Sequence, residues 1–328
     1  MKANVFMILA AGLLLGACSN DNEPTDNANC VAAVFTTNLD GRVQTRMADD
    51  QWAAGDAIGI FSLNNEMAGV MIDGVEQSNN AVNLKYTRTP ANAWDGGTTA
   101  FRFKNPVDVT VNFKAYYPYT ADDGITDNAG GKKEGIIAFE ATDQRLEGQV
   151  KFDFLFADKD KDENASSGSK NNPNVNFQFA HSMTKIIIVL QADGSSVTDL
   201  GGLMAPTLKG LKAKGTFSLA DGVVALAGDA KVVDLHLSNQ TETADNTDTQ
   251  QSFVAIVPPQ TASADVFLTI ASDGDSYLSA KILSGKELKA GKCYTVTVTV
   301  KKRELVVESS DITPWTPEDG GSSDAILQ

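Results

Sequence analysis

Apolar and polar residues alternate with a period of two along most of this chain, and that pattern restricts its fold more than any other feature. β-Branched and aromatic side chains recur at every second position over 107–111, 175–179, 185–190, 252–257, 266–270 and 294–300. Alternate residues of an extended chain point to one face, so each run reads as a strand with a covered side and a wet side. Turn-forming Asp, Asn and Gly separate the runs at 95–97, 122–124, 128–131, 193–194, 221–222 and 273–274. No stretch carries a long apolar stripe at helical spacing. Many short strands joined by such turns predict an all-β chain built of β-sandwiches.

At 328 residues, 42% of them hydrophobic, the chain can build real cores, and at roughly 150 residues per domain it holds about two. The polar run 158–174 (DKDKDENASSGSKNNPN) has no apolar anchor. It is either a linker, dividing the body into 31–172 and 173–328, or a long loop inside the first unit just ahead of its last strand. A second solvated loop spans 239–250. No internal repeat of fixed period is present.

The first thirty residues read as an address. Lys2 precedes an apolar run over 5–15, about eleven residues where a bilayer helix needs roughly 20. Residues 1–17 are therefore a cleaved signal peptide. The sequence Leu15-Gly16-Ala17-Cys18 resembles a bacterial lipobox. That resemblance implies that the Cys18 thiol is acylated and becomes the mature N-terminus, and two or more acyl chains anchor a protein stably. Residues 18–30 that follow are polar and acidic, as in a flexible tether.

A net charge of −15 repels phosphate backbones, so nucleic acid is not an expected partner. With two histidines and three cysteines, His- and Cys-built zinc or catalytic sites are not expected, and no G-x-S-x-G or H-E-x-x-H occurs. We expect no enzyme, no cofactor and no metal. The alternate aspartates Asp158, Asp160 and Asp162 have calcium-loop spacing, but Glu163 and Ser169 stand where an EF-hand loop needs Gly and Glu. His181 follows Phe177 and Phe179 at strand spacing and reads as a structural histidine; His236 reads as ordinary. Cys30 and Cys293 can pair in an oxidising compartment or remain thiols. Trp52, Trp94, Trp315 and the cluster Tyr116-Tyr117-Pro118-Tyr119 are either core or platforms for sugars.

Trp52-Ala53-Ala54-Gly55-Asp56-Ala57-Ile58-Gly59-Ile60-Phe61 resembles the opening motif of fimbrillin-like proteins. Four further segments follow in that family's order: 115–119, 179–186 (FAHSMTKI), 257–261 (VPPQT) and 288–294 (LKAGKCY), closing on Ile312-Thr313-Pro314-Trp315. The resemblance implies two transthyretin-like β-sandwich domains in tandem and a role in type V surface fimbriae. It further implies a lipoprotein precursor at the outer membrane and an arginine- or lysine-specific protease that cuts in the loop after the first strand. Arg46 is the first choice for that cut and Arg42 the second.

Residues 31–35 (VAAVF) are apolar on both faces, which suggests a strand covered on both sides. Burial of Val31, Val34 and Phe35 is then worth about 5–9 kcal/mol as an upper bound. Cutting at Arg46 lets that strand leave and opens edges that accept another chain's strand. The donor expected is the C-terminal arm, a Pro-, Gly- and Ser-rich spacer ending in the apolar pair Ile326 and Leu327. The partners are then other pilin subunits at the cell surface, in support of adhesion. The rival reading is a monomeric surface lipoprotein that binds glycans through its Trp and Tyr rings.

Overall fold

The computed structural model describes residues 30–39, 52–63, 70–72, 75–76, 83–103, 109–201, 206–237, 247–262, 266–272, 276–283 and 285–315. Over these the chain is nearly all β, as the alternation predicts, with a single α-helical turn at Leu146–Gln149.

The largest sheet runs in the order Val34–Leu39, Asn174–His181, Leu155–Ala157, Val111–Tyr117, Ala57–Ser62, Leu84–Arg88, Trp94–Asp95. All its pairs are antiparallel except the first: Val34–Leu39 lies parallel to Asn174–Phe179, Phe35 beside Val175 and Leu39 beside Phe179. A smaller sheet orders Val31–Ala32, Arg102–Phe103, Val70–Ile72 and Val75–Glu76. The two share one core, which includes Phe35, Ile58, Ile60, Tyr86, Phe101, Phe103, Phe113 and Phe177.

A second core fills the remainder. One of its sheets runs Gln250–Val257, Thr184–Ala192, Lys292–Lys301, Glu304–Pro314, and another runs Val232–His236, Thr207–Lys212, Phe267–Ser272, Ser276–Lys281. Alternation is strict from Tyr294 onward in Lys292–Lys301, where Tyr294, Val296, Val298 and Val300 are buried and the intervening threonines are half-buried. Cys293 is buried on the threonine side, and no disulfide joins it to Cys30.

Sheet membership changes at Ser182–Met183, between Asn174–His181 and Thr184–Ala192. The strand that follows the polar run, Asn174–His181, pairs with Leu155–Ala157 and Val34–Leu39 of the first sheet, which favours reading that run as a loop inside the first unit. A cut at 172 would part that strand from its neighbours, so we carry the two-unit division forward as a proposal with its boundary at 182–183. The halves are also sewn together. Gly131–Glu140 pairs with Lys214–Ser218, and Phe61 and Tyr116 belong to the second core.

Two local devices set these elements. In the segment after Trp52, Gly55 has φ +98°, and Asp56 Oδ2 accepts the Ala53 N–H at 2.7 Å, which closes the turn into Ala57–Ser62. Four residues on, the Tyr116 ring presses on Gly59, so that a Cβ there would collide with Tyr116 Cε1. Gly59→Ala must push that ring out of the core, and we expect a loss of about 1–3 kcal/mol of unfolding free energy, read by urea denaturation. An unchanged midpoint would mean that the ring has room to move.

The second device covers an edge. Gln144 and Gln149 flank and end the helical turn with buried side chains. Gln144 Oε1 accepts the Ile256 N–H at 2.9 Å and its Nε2 donates to the Ile256 carbonyl at 3.0 Å, while Gln149 Nε2 donates to the Val254 carbonyl at 2.9 Å. Two side-chain amides thus stand in for a neighbouring strand over residues 254–256 and occupy the backbone groups that this part of the edge would offer another chain.

Candidate functional site

The leading segment, Val31–Ala32 and Val34–Leu39, sits at the margin of two sheets. It begins in the small sheet, Val31 opposite Phe103, and crosses to the large one at Ala33. There the Ala33 N–H donates to the Phe101 carbonyl at 2.9 Å and the Val34 N–H to the Pro173 carbonyl at 2.9 Å. It is a terminal strand in both sheets, so its departure would bare the edges of Arg102–Phe103 and Asn174–Phe179 together.

Its side chains alternate strictly. Ala33 and Phe35 are buried, Thr37 and Leu39 half-buried, and Ala32, Val34, Thr36 and Asn38 exposed. This corrects the expectation of a strand covered on both faces: Val34 is 48% exposed. The strand runs along the margin of the fold, where only its odd-numbered side chains find a core. Without Val34, and with Val31 half-buried, burial holds it by roughly 2–4 kcal/mol rather than 5–9.

Phe35 provides most of that. Its ring lies 4.9 Å from Tyr86, 5.4 Å from Phe113 and 6.2 Å from Phe101, all edge-on, and is stacked on Phe177 at 5.7 Å. The four rings are themselves fully buried. The Tyr86 hydroxyl accepts the Phe101 N–H at 2.8 Å, and burial raises its pKa, which keeps it a neutral partner. Polar contacts mark the register. Thr36 Oγ1 donates to Asn176 Oδ1, and Trp94 Nε1, from the far end of the large sheet, donates to Thr37 Oγ1 at 3.0 Å.

Beyond Leu39 lies a cavity of about 130 Å³ lined by Leu39, Trp52, Tyr117, Leu146, Val150 and His181, among others. Trp52 meets Trp94 at 5.1 Å, Phe179 at 5.2 Å and Tyr117 at 5.4 Å, all edge-on. The rings thus pack on one another instead of forming a row open to solvent. Tyr116 is buried, its hydroxyl within 2.9 Å of the Thr120 carbonyl and 3.0 Å of Asn83 Oδ1. His181 Nδ1 sits 3.0 Å from Asp153 Oδ1, and its ring stacks on Trp315 at 4.0 Å, joining the end of the described chain to the large sheet. His236 Nδ1 meets only Thr207 Oγ1 among the described hydrogen bonds, at 3.1 Å. In the 158–162 run, Asp160 Oδ1 accepts the N–H groups of Asp162 and Asn164, and Lys161 pairs with Asp162 at 2.7 Å.

Cys18, Arg42, Arg46, Ile326 and Leu327 lie outside the described residues. The strand that seats the leading segment, Asn174–His181, reads in the sequence as the start of the second unit. Nothing local signals its pairing with residues so far upstream. The edge-covering role of Gln144 and Gln149 likewise leaves no mark on the sequence.

Comparison with known proteins places this architecture. The profile of the fimbrillin-like family matches residues 45–315. A Bacteroides uniformis protein, provisionally named fimbrium subunit Fim1C, is 30% identical over 98% of this chain and 97% of its own length. The crystal structure of a provisionally named cell adhesion protein from Bacteroides uniformis superposes with a TM-score of 0.61 at 22% identity, covering 88% of this chain and 99% of the other. A second such protein, from Bacteroides ovatus, gives 0.57 at 22% identity with the same coverage of 88% and 99%. At that identity the two crystal structures speak for the fold.

Proposed function

Because the chain belongs to the fimbrillin-like family, we propose that it is a structural subunit, stalk or tip, of a cell-surface fimbrium that assembles by giving up its leading strand. The precursor travels to the outer membrane on acylated Cys18. An arginine-specific protease cuts after Arg46, or after Arg42, and the leading segment dissociates. The C-terminal arm of another subunit, ending in Ile326 and Leu327, takes its place. Each subunit both offers an arm and receives one, so the contact is head-to-tail and propagates as a filament.

The observation that carries this reading is the way the leading strand is held: by one face, at the margin of two sheets, with a single large side chain in the core. Such a strand is stable while tethered and is replaceable once cut. The opposite treatment of residues 254–256, an edge covered by glutamine side chains, directs strand addition away from that part. A glycan-binding monomer would need exposed ring faces, and the Trp52 cluster turns its rings on one another.

The test is assembly. Surface extracts run unheated on a denaturing gel should give a ladder of polymers, and changing both Ile326 and Leu327 to Asp should abolish it while leaving the monomer folded. A ladder that survives both changes would remove the arm from the mechanism.

A further inference from the structure

We propose that the cavity of about 130 Å³ beyond Leu39 binds a small apolar amine that also carries a neutral hydroxyl group. The proposal does not depend on strand exchange. An apolar cavity of about 150 Å³ takes one benzene ring, so a body of roughly six carbon atoms suits this one. Leu39 and Leu155, from the first core and its margin, meet Ile256, from the second, on its walls. Leu146 and Val150, four residues apart, also line it and are 38% and 45% exposed, which puts them at its mouth. Exposed apolar side chains around a cavity are what an apolar ligand would cover.

The polar atoms on the lining set the chemistry of the ligand. The His181 side chain is 3% exposed, and its Nδ1 is taken by Asp153 Oδ1 at 3.0 Å. Its other ring nitrogen, Nε2, is buried without a partner among the described residues. Beside a carboxylate the neutral imidazole keeps its proton on Nδ1, so Nε2 offers a lone pair. Two carboxylates, Asp56 and Asp153, also line the cavity, and no lysine or arginine is among its described lining residues. Asp56 Oδ1 has only the Tyr117 hydroxyl, at 3.4 Å, among the described hydrogen bonds. Acceptors therefore predominate, and an ammonium group answers them with charge-assisted hydrogen bonds. A ligand carboxylate would meet two like charges instead. The remaining polar atom is a donor: Trp52 Nε1 lines the cavity from a residue held by three other rings, and it too is buried without a partner. An unpaired buried N–H is costly, and a ligand hydroxyl oxygen would accept it.

The experiment titrates the full-length, uncut protein, in which Leu39 is in place, with leucinol by isothermal titration calorimetry. One site with a dissociation constant of about 1 mM or below is expected for a ligand of this size. Isohexanol, which lacks the ammonium group, and free leucine, which adds a carboxylate, should each bind at least about tenfold more weakly. Val150→Trp, at the exposed mouth, should abolish leucinol binding while leaving the urea midpoint unchanged. Equal binding of isohexanol would reduce the site to an apolar hole and overturn the amine assignment. Tighter binding of leucine would turn the unpartnered nitrogens over to an anion and overturn it as well. Full leucinol binding by a folded Val150→Trp protein would place the ligand elsewhere. Absence of saturable binding up to about 10 mM would leave the cavity to water and overturn the site itself.

Discussion

Replacing Phe35 by alanine should lower the unfolding free energy of the uncut protein by about 3–5 kcal/mol, the range for removing a ring from a packed core. Phe35 is 4% exposed and touches four rings contributed by four different segments, so the surroundings have little freedom to collapse into the space it leaves. The natural control is its neighbour. Val34 points to solvent, and Val34→Ala should change stability by no more than about 0.5 kcal/mol. A urea titration followed by tryptophan fluorescence reads the difference directly, because Trp94 donates a hydrogen bond to Thr37 of the same strand. Equal effects at the two positions would mean that the strand is not held through Phe35. The two variants should separate again in assembly. After cutting, Phe35 is gone, so a Phe35→Ala precursor that survives export should polymerise like the unaltered protein.

The second large effect is all-or-none. Arg46 and Arg42 lie between Leu39, the end of the leading strand, and Trp52, which is fixed by the rings of Trp94, Tyr117 and Phe179. On the proposed mechanism, a cut between those two points would release the leading strand and leave the Trp52 cluster in place. Changing both arginines to glutamine should therefore leave a folded, lipid-anchored precursor that forms no ladder. The strand stays in its seat because its ends are tethered, and an incoming arm must compete with a segment of the same chain at high effective concentration. Polymer formation by the double variant would show that release of the strand is not a precondition.

Much of this was readable from residue order. The strands over Thr184–Ala192 and Lys292–Lys301 follow from alternation because along most of each one face is buried in a core and the other only half-buried, whereas Gln250–Val257 is buried on both faces from Ser252 on. The segment opening on Trp52 owes its pattern to physical necessity: Gly55 for a positive φ, Asp56 for a turn cap, Gly59 for a ring pressed on the backbone. Of the strand expected over 107–111, residues 107–108 lie outside the described residues, and the strand that the structure describes there is Val111–Tyr117. Its alternation is hidden because both faces are buried and Lys114 is one of the buried residues, its amino group 3.5 Å from Glu134, with burial lowering its pKa. The parallel pairing of Val34–Leu39 with Asn174–Phe179 could not be read at all. Pairing depends on chain topology, and both strands would look the same beside any other partner. The one-sided burial of the leading strand was hidden for a related reason. Val34 is apolar but faces water, and only the position of the strand at the margin of the sheet decides that.

N-terminal sequencing of the protein recovered from surface filaments bears most directly on strand release. Subunits that have surrendered the leading strand should begin at Met47, or at Val43 if Arg42 is cut. Filaments whose every subunit still began at acylated Cys18 would contradict release of that strand and return the protein to the role of an anchored surface monomer.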